Sequence, residues 1–247
     1  MTGAGRTAVS DRFYCPDPPR AGRYRLGPEE SRHAVRVCRV QVGDRIEIFD
    51  GRGFATAAEV VASVGDSVEL VEVGESLHVP QPSCSIVLAT AVPKGERFDW
   101  LVEKATELGV DRLVPVVAER SVVVPRGSKL DRLRRSIVEA SKQCRRARLM
   151  ALEEPVEWPR LVVSFPDALK FLGDRDGAHA AGWPAIEPGR EIVLAVGPEG
   201  GLTGAETDLA KTTGWFPIRL GYHTLRVESA GLAGCAALLA HVPENHA

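Results

Sequence analysis

The sequence predicts an α/β protein with a small all-β domain at its N-terminal end. Short alternating strands separated by turn residues fill residues 11–75, a pattern typical of a small β-barrel. From Ser85 onward, apolar strands alternate with amphipathic helices. The change of pattern predicts two domains, residues 1–78 and 79–247, with a proline-containing linker at 75–85.

Three strands are predicted in the β domain, at residues 45–50, 54–64 and 67–73. The first ends in Asp50-Gly51, a hairpin-type turn. Residues 31–37 predict a short helix. The exposed side of that helix and its end carry basic residues, namely Arg32, His33, Arg36 and Arg39.

The second domain begins with two strand–helix units. In order, the predicted elements are a strand at 86–90, a helix at 98–108, a strand at 113–117 and an arginine-rich helix at 130–144. The next strand is either 161–165 or 168–172, and the pattern does not choose between them. Residues 173–189 predict a glycine- and proline-rich loop.

Two similar strand–loop–helix units end the chain. In the first, the buried strand 192–196 leads into the loop Gly197-Pro198-Glu199-Gly200-Gly201, and Thr203-x-x-Glu206 is a capping box that opens a helix. In the second, a strand at 217–221 and a loop at 222–228 precede the helix 229–242. Because glycine lets the backbone approach a ligand closely, we predict a small-molecule site where these loops meet. Neither a G-x-G-x-x-G fingerprint after a strand nor a P-loop motif occurs, which argues against both common nucleotide folds.

Composition narrows the class of protein. The hydrophobic fraction of 44% and charged fraction of 26% are ordinary for a soluble globular protein. No run approaches 18 apolar residues and no apolar signal segment opens the chain, so we predict a cytoplasmic protein without membrane contact. Five scattered cysteines and six histidines without metal-ligand spacing predict neither disulfides nor a metal site.

Basic residues cluster in two regions although the net charge is only −2. Residues 126–148 hold nine lysines and arginines against two acids, and residues 6–45 hold nine arginines against five acids. Local basic surfaces on a nearly neutral chain favour contact with RNA, whereas the simpler interpretation is a solvated helix face.

Several of these segments resemble one known family, the RsmE group of SPOUT RNA methyltransferases. The resemblance is carried by Val196-Gly197-Pro198-Glu199-Gly200-Gly201 with Glu206, and by Leu220-Gly221-x-x-x-Leu225-Arg226-x-Glu228-Ser229-Ala230. Weaker matches are Lys94-Gly95, Glu103-Lys104-x-x-Glu107-Leu108-Gly109, Gln143-Cys144-x-Arg146, Arg12-Phe13 and His33-x-x-x-Val37. Val227, Ser229, Lys142 and Arg145 depart from the family's usual residues.

The resemblance implies a fold and an activity. The fold would be a PUA-like β-barrel followed by a SPOUT domain with a mostly parallel sheet and a deep trefoil knot. The chain would act as a homodimer that binds S-adenosylmethionine and methylates N3 of one uridine of 16S rRNA, in the decoding region of the 30S subunit. The alternatives are a non-catalytic RNA-binding or ribosome-assembly protein and a SPOUT enzyme that methylates tRNA.

Three sets of site residues follow from these motifs. We expect the cofactor to be bound by Thr90, Val196, Gly197, Glu199, Gly200, Gly201, Leu220, Gly221 and Leu225. RNA contact is expected from Arg12, Arg32, Arg36, Arg39, Arg132, Arg135, Gln143, Arg145 and Arg146. Arg226 and Glu228 are the catalytic candidates, Glu228 being either the base or a cap of the following helix.

Two further interpretations concern the last unit. Tyr222 and His223 are candidates for stacking on a base. The small residues of the last helix permit close packing, either across a dimer or within the core.

Overall fold

A computed structural model describes residues 11–80 and 83–242 of the 247-residue chain. The described residues form two compact units: 11–80 with 141–149, and 83–140 with 150–242. Arg6, which belongs to the basic N-terminal region, and residues 81–82 of the predicted linker lie outside the described residues.

The first unit is a six-stranded mixed sheet with one helix. Its elements are β1 (Arg12–Tyr14), β2 (Arg23–Arg25), α1 (Pro28–Arg36), β3 (Arg45–Phe49), β4 (Phe54–Val64), β5 (Ser67–Glu72) and β6 (Leu77–His78). The strand order is β1-β3-β4-β5-β2, and β6 pairs with β4. β1 runs parallel to β3, and the other pairs of this sheet are antiparallel. The predicted strands and helix are therefore present, but part of the predicted linker belongs to the sheet as β6. α1 begins earlier than expected because Pro28 suits a first helical turn, where it precedes two glutamates.

Residues 141–149 belong to the first unit although they lie far along the chain. Ala147 and the half-buried Leu149 pack against Phe49. The buried ammonium of Lys142 donates to Glu30 at 2.9 Å. This unit is consequently discontinuous in sequence.

The second unit is a seven-stranded parallel sheet flanked by helices. Its strands are β7 (Ser85–Ala91), β8 (Arg112–Val117), β9 (Ala151–Leu152), β10 (Val156–Glu157), β11 (Leu169–Ala178), β12 (Glu191–Val196) and β13 (Phe216–Ile218). Its helices are α2 (Arg97–Leu108), α3 (Ser128–Gln143, whose end lies in the first unit), α4 (Trp158–Leu161), α5 (Gly204–Thr212) and α6 (Val227–His241). The order β10-β8-β7-β12-β11-β13, with β9 on β8, puts β7 and β12 side by side at the centre. An all-parallel sheet between helices is the predicted α/β class.

β11 settles the choice of strand in favour of residues 168–172. Leu161 instead ends α4, and the buried Phe165 lies between α4 and β11. The predicted loop over 173–189 is partly wrong because β11 continues to Ala178. Both Gly173 and Ala178 pair with Ile218, so the polar residues between them bulge out of the strand. Because the bulge interrupts the apolar pattern of the strand, periodicity in the sequence does not predict the second half of β11.

α6 packs on the centre of the sheet through its glycines. A Cβ at Gly231 would lie 3.3 Å from Leu88 Cδ2 of β7, and one at Gly234 would collide with Leu194 of β12. The two glycines therefore let α6 pack closely against the core, while Ala233 and Ala236 face outward. None of the helices in the described ranges is long and apolar enough to span a bilayer.

Candidate functional site

A cavity of about 380 Å³ opens where β12 and β13 end and β11 bulges. Its walls come from the bulge of β11, the loop after β12 and the loop after β13. The carboxyl ends of parallel strands are where open α/β sheets bind ligands, and the volume suits a small organic molecule. The structure thus brings the two glycine-bearing loops together around one space.

The glycine loop after β12 is held from outside the cavity. Arg97 Nη1 donates to Glu199 Oε1 at 2.6 Å, and Arg120 Nη1 donates to the carbonyl of Gly200 at 2.8 Å. Gly201 has a left-handed φ of +72°, which a side chain would strain. The loop is therefore ordered by neighbouring arginines.

The capping box anchors the far end of that loop. The Thr203 hydroxyl accepts from the amide of Glu206, and the Glu206 carboxylate accepts from the amides of Thr203 and Glu119, each at 2.8 Å. Burial alone would raise the pKa of Glu206, but these amide donors outweigh it and the pKa is lowered. The predicted capping box is confirmed, and it also ties α5 to the loop after β8.

Arg219 fixes the loop after β13. Its Nε donates to the carbonyl of Gly221 and its Nη2 to the carbonyl of Tyr222, both at 3.1 Å. Leu220, Gly221 and Leu225 then line the cavity. The main chain of this loop is consequently held by the side chain of its own first residue, which directly follows β13.

The third wall is the bulge of β11. Asp174, Arg175 and Asp176 all line the cavity, and the Asp176 amide donates to Asp174 Oδ1 at 2.9 Å. A Cβ at Gly177 would lie 2.6 Å from the backbone nitrogen of Ile218, so only glycine fits where the bulge rejoins β13. The bulge gives this wall two carboxylates.

Most of the predicted cofactor residues lie at the cavity. Those that line it are Val196, Gly197, Glu199, Gly201, Leu220, Gly221 and Leu225. Gly200 turns its carbonyl to Arg120 instead, and a Cβ there would meet Arg120 Cβ at 3.4 Å. Thr90 is fully buried in β7, where its hydroxyl donates to the carbonyl of Ala91. Gly200 and Thr90 are therefore not among the described residues that line the cavity.

The two catalytic candidates differ in exposure, and neither is among the described residues that line the cavity. Arg226 is exposed and is the N-cap residue of α6, between the lining residues Leu225 and Val227. Glu228 is buried in the first turn of α6, with Oε1 3.7 Å from Arg97 Nη1. Its Oε2 is buried without a hydrogen-bond partner in the part of the chain that the structure describes. Arg226 therefore faces solvent beside the cavity, whereas Glu228 does not.

The predicted RNA-contact residues separate into exposed and engaged side chains. The side chain of Arg12 is only 6% exposed; it binds Glu47 at 3.0 Å and covers the ring of Phe49 at 4.4 Å. Burial lowers the pKa of its guanidinium while Glu47 opposes that shift. Arg12 is thus part of the first unit's interior and is not a surface cation.

The other RNA-contact candidates in the first unit lie nearer the surface. Exposed residues are Arg32, Arg36, Arg39, Gln143 and Arg145, and Arg146 is half-buried. Arg36 is paired with Asp66 at 2.7 Å, and Arg145 with Glu47. In the second unit, the exposed Arg132 binds Asp99 at 2.7 Å, and Arg135 is exposed on the same helix.

Sequence reasoning missed Arg97, Arg120 and the acidic bulge. Arg97 stands next to the Lys94-Gly95 motif, whose position before a helix was its only signal. The bulge was concealed because the polar residues between Gly173 and Gly177 interrupt the apolar pattern of β11. The pairing of both flanks of the bulge with Ile218 is not a local signal.

Comparison with known proteins gives independent matches over both units. Residues 80–239 match the RNA methyltransferase domain family, and residues 26–73 match the RNA methyltransferase PUA domain family. Ribosomal RNA small subunit methyltransferase E of Synechocystis is 33% identical over 214 residues, covering 82% of this chain and 68% of that protein. The Bacillus subtilis protein of the same name is 27% identical over 237 residues, covering 88% and 90%.

Solved structures agree. Ribosomal RNA small subunit methyltransferase E from Neisseria gonorrhoeae, bound to S-adenosyl methionine, superposes with a TM-score of 0.84 at 29% identity, covering 93% of this chain and 97% of that one. A methyltransferase from Legionella pneumophila in complex with the same cofactor gives 0.85 at 28% identity, covering 94% and 98%. With a domain match over more than half its length and a relative above 30% identity, the chain belongs to the family of ribosomal RNA small subunit methyltransferase E.

Proposed function

We propose that this protein is an S-adenosylmethionine-dependent methyltransferase that modifies N3 of one uridine of 16S rRNA, in the decoding region of the 30S subunit. The observation that carries the proposal is the convergence of the loops after β12 and β13 on one cavity. Membership of the family supports rRNA of the small subunit as the substrate and the cytoplasm as the place of action. In functional terms we divide the chain into a PUA-like RNA-binding part, residues 1–78, and a methyltransferase part, residues 79–247.

The lining of the cavity fits S-adenosylmethionine. A Cβ at Gly201 would meet no atom within 4 Å, so the absence of a side chain there leaves the space open. Leu220 and Leu225 offer apolar contact for a purine, and Asp174 and Glu199 offer acceptors for hydroxyl and ammonium groups. When bound, this cofactor supplies an activated methyl group.

The residues of the chain must then present a uracil and deal with its N3 proton. N3 lies on the pairing edge of the base, so the target has to be unpaired or extruded from its helix. Uracil N3–H is a weak acid that would give its proton to solvent water, and a cation near O2 or O4 would stabilise the charge that develops as the proton leaves. We assign that role to Arg226, and its exposure between two residues that line the cavity supports the assignment.

For Glu228 we propose a positioning role in place of direct proton transfer. A base must reach the proton that it removes, and the carboxylate of Glu228 is buried in α6. Its charge lies 3.7 Å from Arg97, which also binds Glu199 of the glycine loop. Glu228 would therefore help to hold Arg97, and through it the cavity wall.

We further propose that the protein is a homodimer and that α6 contributes to its interface. The outward face of the helix carries Ala233, Ala236 and Ala240, and no charged side chain occurs from Ser229 to Ala240. An exposed helix face without charge is suited to close packing against a second copy. Light scattering during gel filtration tests this, and an Ala236→Glu variant that elutes like the wild-type protein would contradict it.

The function is tested with purified protein, S-adenosylmethionine and 30S subunits from cells that lack the gene. We expect mass spectrometry of the 16S rRNA nucleosides to show one new 3-methyluridine. Methylation of tRNA alone would favour the tRNA enzyme. Failure of calorimetry to detect cofactor binding, with RNA binding intact, would favour the non-catalytic alternative.

A further inference from the structure

Tyr222 has an aromatic ring that folding leaves almost entirely in solvent. The residue is 84% exposed, the largest value among the exposed large hydrophobic residues in the described ranges. Its two neighbours in sequence, Gly221 and His223, both line the cavity. The ring therefore lies next to the opening of the site and contributes little to the core.

The ring is nevertheless held in place. Arg219 donates to the carbonyls of Gly221 and Tyr222, and its guanidinium carbon lies 5.4 Å from the centre of the Tyr222 ring. The ring of His223 meets it edge-on at 5.7 Å and 73°. An aromatic ring fixed in this way loses little conformational entropy when a flat ligand stacks on it.

On these grounds we propose that Tyr222 is a stacking platform for an unpaired base of the RNA, at the opening of the cavity. This proposal rests on the proposed function, which requires an unpaired uracil to enter beside it. A base presents a flat π surface whatever its identity, and aromatic side chains bind unpaired bases by stacking on that surface. Arg219 would support the platform from the protein side, because it is a cation against the ring.

The test is the affinity of 30S subunits, isolated from cells without the gene, for Tyr222→Ala and Tyr222→Phe at one fixed salt concentration. We expect the alanine variant to bind roughly 5- to 150-fold more weakly, the range for stacking of one base. Phenylalanine keeps the ring, so it should bind within about twofold of wild type, since stacking does not need the hydroxyl. Val163→Ala, which trims another exposed apolar side chain of the same unit, is the matched control and should have no effect.

Cofactor binding by calorimetry separates stacking from a collapse of the loop. Arg219 bonds the main chain of the loop, so Tyr222→Ala should bind S-adenosylmethionine as the wild-type protein does. Unchanged 30S affinity in Tyr222→Ala would overturn the proposal, as would an equal loss in Tyr222→Phe. If wild-type protein fails to methylate 16S rRNA, the proposed function fails; if it methylates and Tyr222→Ala binds RNA normally, only the platform fails.

Discussion

Arg97 Nη1 donates a 2.6 Å hydrogen bond to Oε1 of Glu199, a residue of the glycine loop that lines the cavity. The same nitrogen lies 3.7 Å from Oε1 of the buried Glu228 at the start of α6. One guanidinium thus links the glycine loop, which lines the cavity, to the first turn of α6. Because the side chains of Arg97 and Glu199 are 32% and 46% exposed, solvent screens this pair and its contribution is modest.

Arg97→Met should weaken binding of S-adenosylmethionine by up to about fivefold, the effect of losing an exposed ion pair worth at most about 1 kcal/mol. Arg97→Lys keeps the charge and should retain more of the affinity. Calorimetry measures both variants. Equal affinities for Arg97→Met and the wild-type protein would show that the link between the glycine loop and α6 is unimportant for the cofactor.

Gly201 in the loop after β12 and Gly204 at the start of α5 offer a matched pair of alanine variants. At Gly201, with its φ of +72°, alanine should cost about 1–2 kcal/mol of strain and weaken cofactor binding. At Gly204, the first residue of α5, a Cβ would meet nothing within 4 Å, and alanine should stabilise the helix by up to about 1 kcal/mol. Chemical denaturation measures the free energy of unfolding of both variants, and calorimetry measures their affinity for the cofactor. Equal stabilities and equal affinities of the two variants would contradict the role of the left-handed turn.

How far the sequence predicts the site depends on which signal a residue carries. Thr203 and Glu206 form the capping box that their spacing predicts, because such a cap is a local interaction. The strand at Leu169 was ambiguous because residues 161–165 are equally apolar. Its continuation past Gly173 depends on pairing with Ile218, a long-range contact that no local pattern encodes.

Charge patterns were the weakest guide. Arg12 belongs to a basic region of the sequence, yet it is buried against Glu47, 35 residues further along the chain. Lys142 is likewise buried against Glu30. A count of basic residues cannot separate these from exposed ones such as Arg135, because the difference depends on which acid lies nearby in the fold.

The packing of α6 gives a prediction about stability. Gly234→Ala places a methyl group against Leu194 in the core and should lower the free energy of unfolding by about 1–3 kcal/mol. Lys211→Arg alters an exposed position of α5, a helix outside the proposed dimer interface, and is the control, expected within about 0.5 kcal/mol of wild type. Thermal and denaturant unfolding measure the stability of both variants. A Gly234→Ala variant as stable as the wild-type protein would mean that α6 shifts away from Leu194 without loss of stability.

The ionisation of Glu206 should make the free energy of unfolding depend on pH. Its folded pKa is lowered below the unfolded value near 4.3, so the charged form stabilises the fold at neutral pH. The contribution is complete above the unfolded pKa and is lost as the pH falls through the lowered one. Glu206→Gln should therefore be less stable than wild type at pH 7, with the gap closing as the pH drops below about 4. A gap that stays constant over that range of denaturation measurements would exclude this ionisation as its cause.

Replacing an exposed arginine and replacing the buried Arg12 should have different effects on the salt dependence of RNA binding. Arg135→Ala removes an exposed cation from α3 and should reduce the slope of log affinity against log salt concentration by roughly 0.7–0.9, the value for one phosphate contact. Arg12→Ala removes a buried partner of Glu47, which Arg145 still neutralises, so it should cost about 2–3 kcal/mol of folding stability. Its salt slope should remain that of wild type, because the guanidinium is shielded from phosphates. Binding of 30S subunits across a salt series distinguishes the two residues, and a slope change for Arg12→Ala with none for Arg135→Ala would reverse their roles.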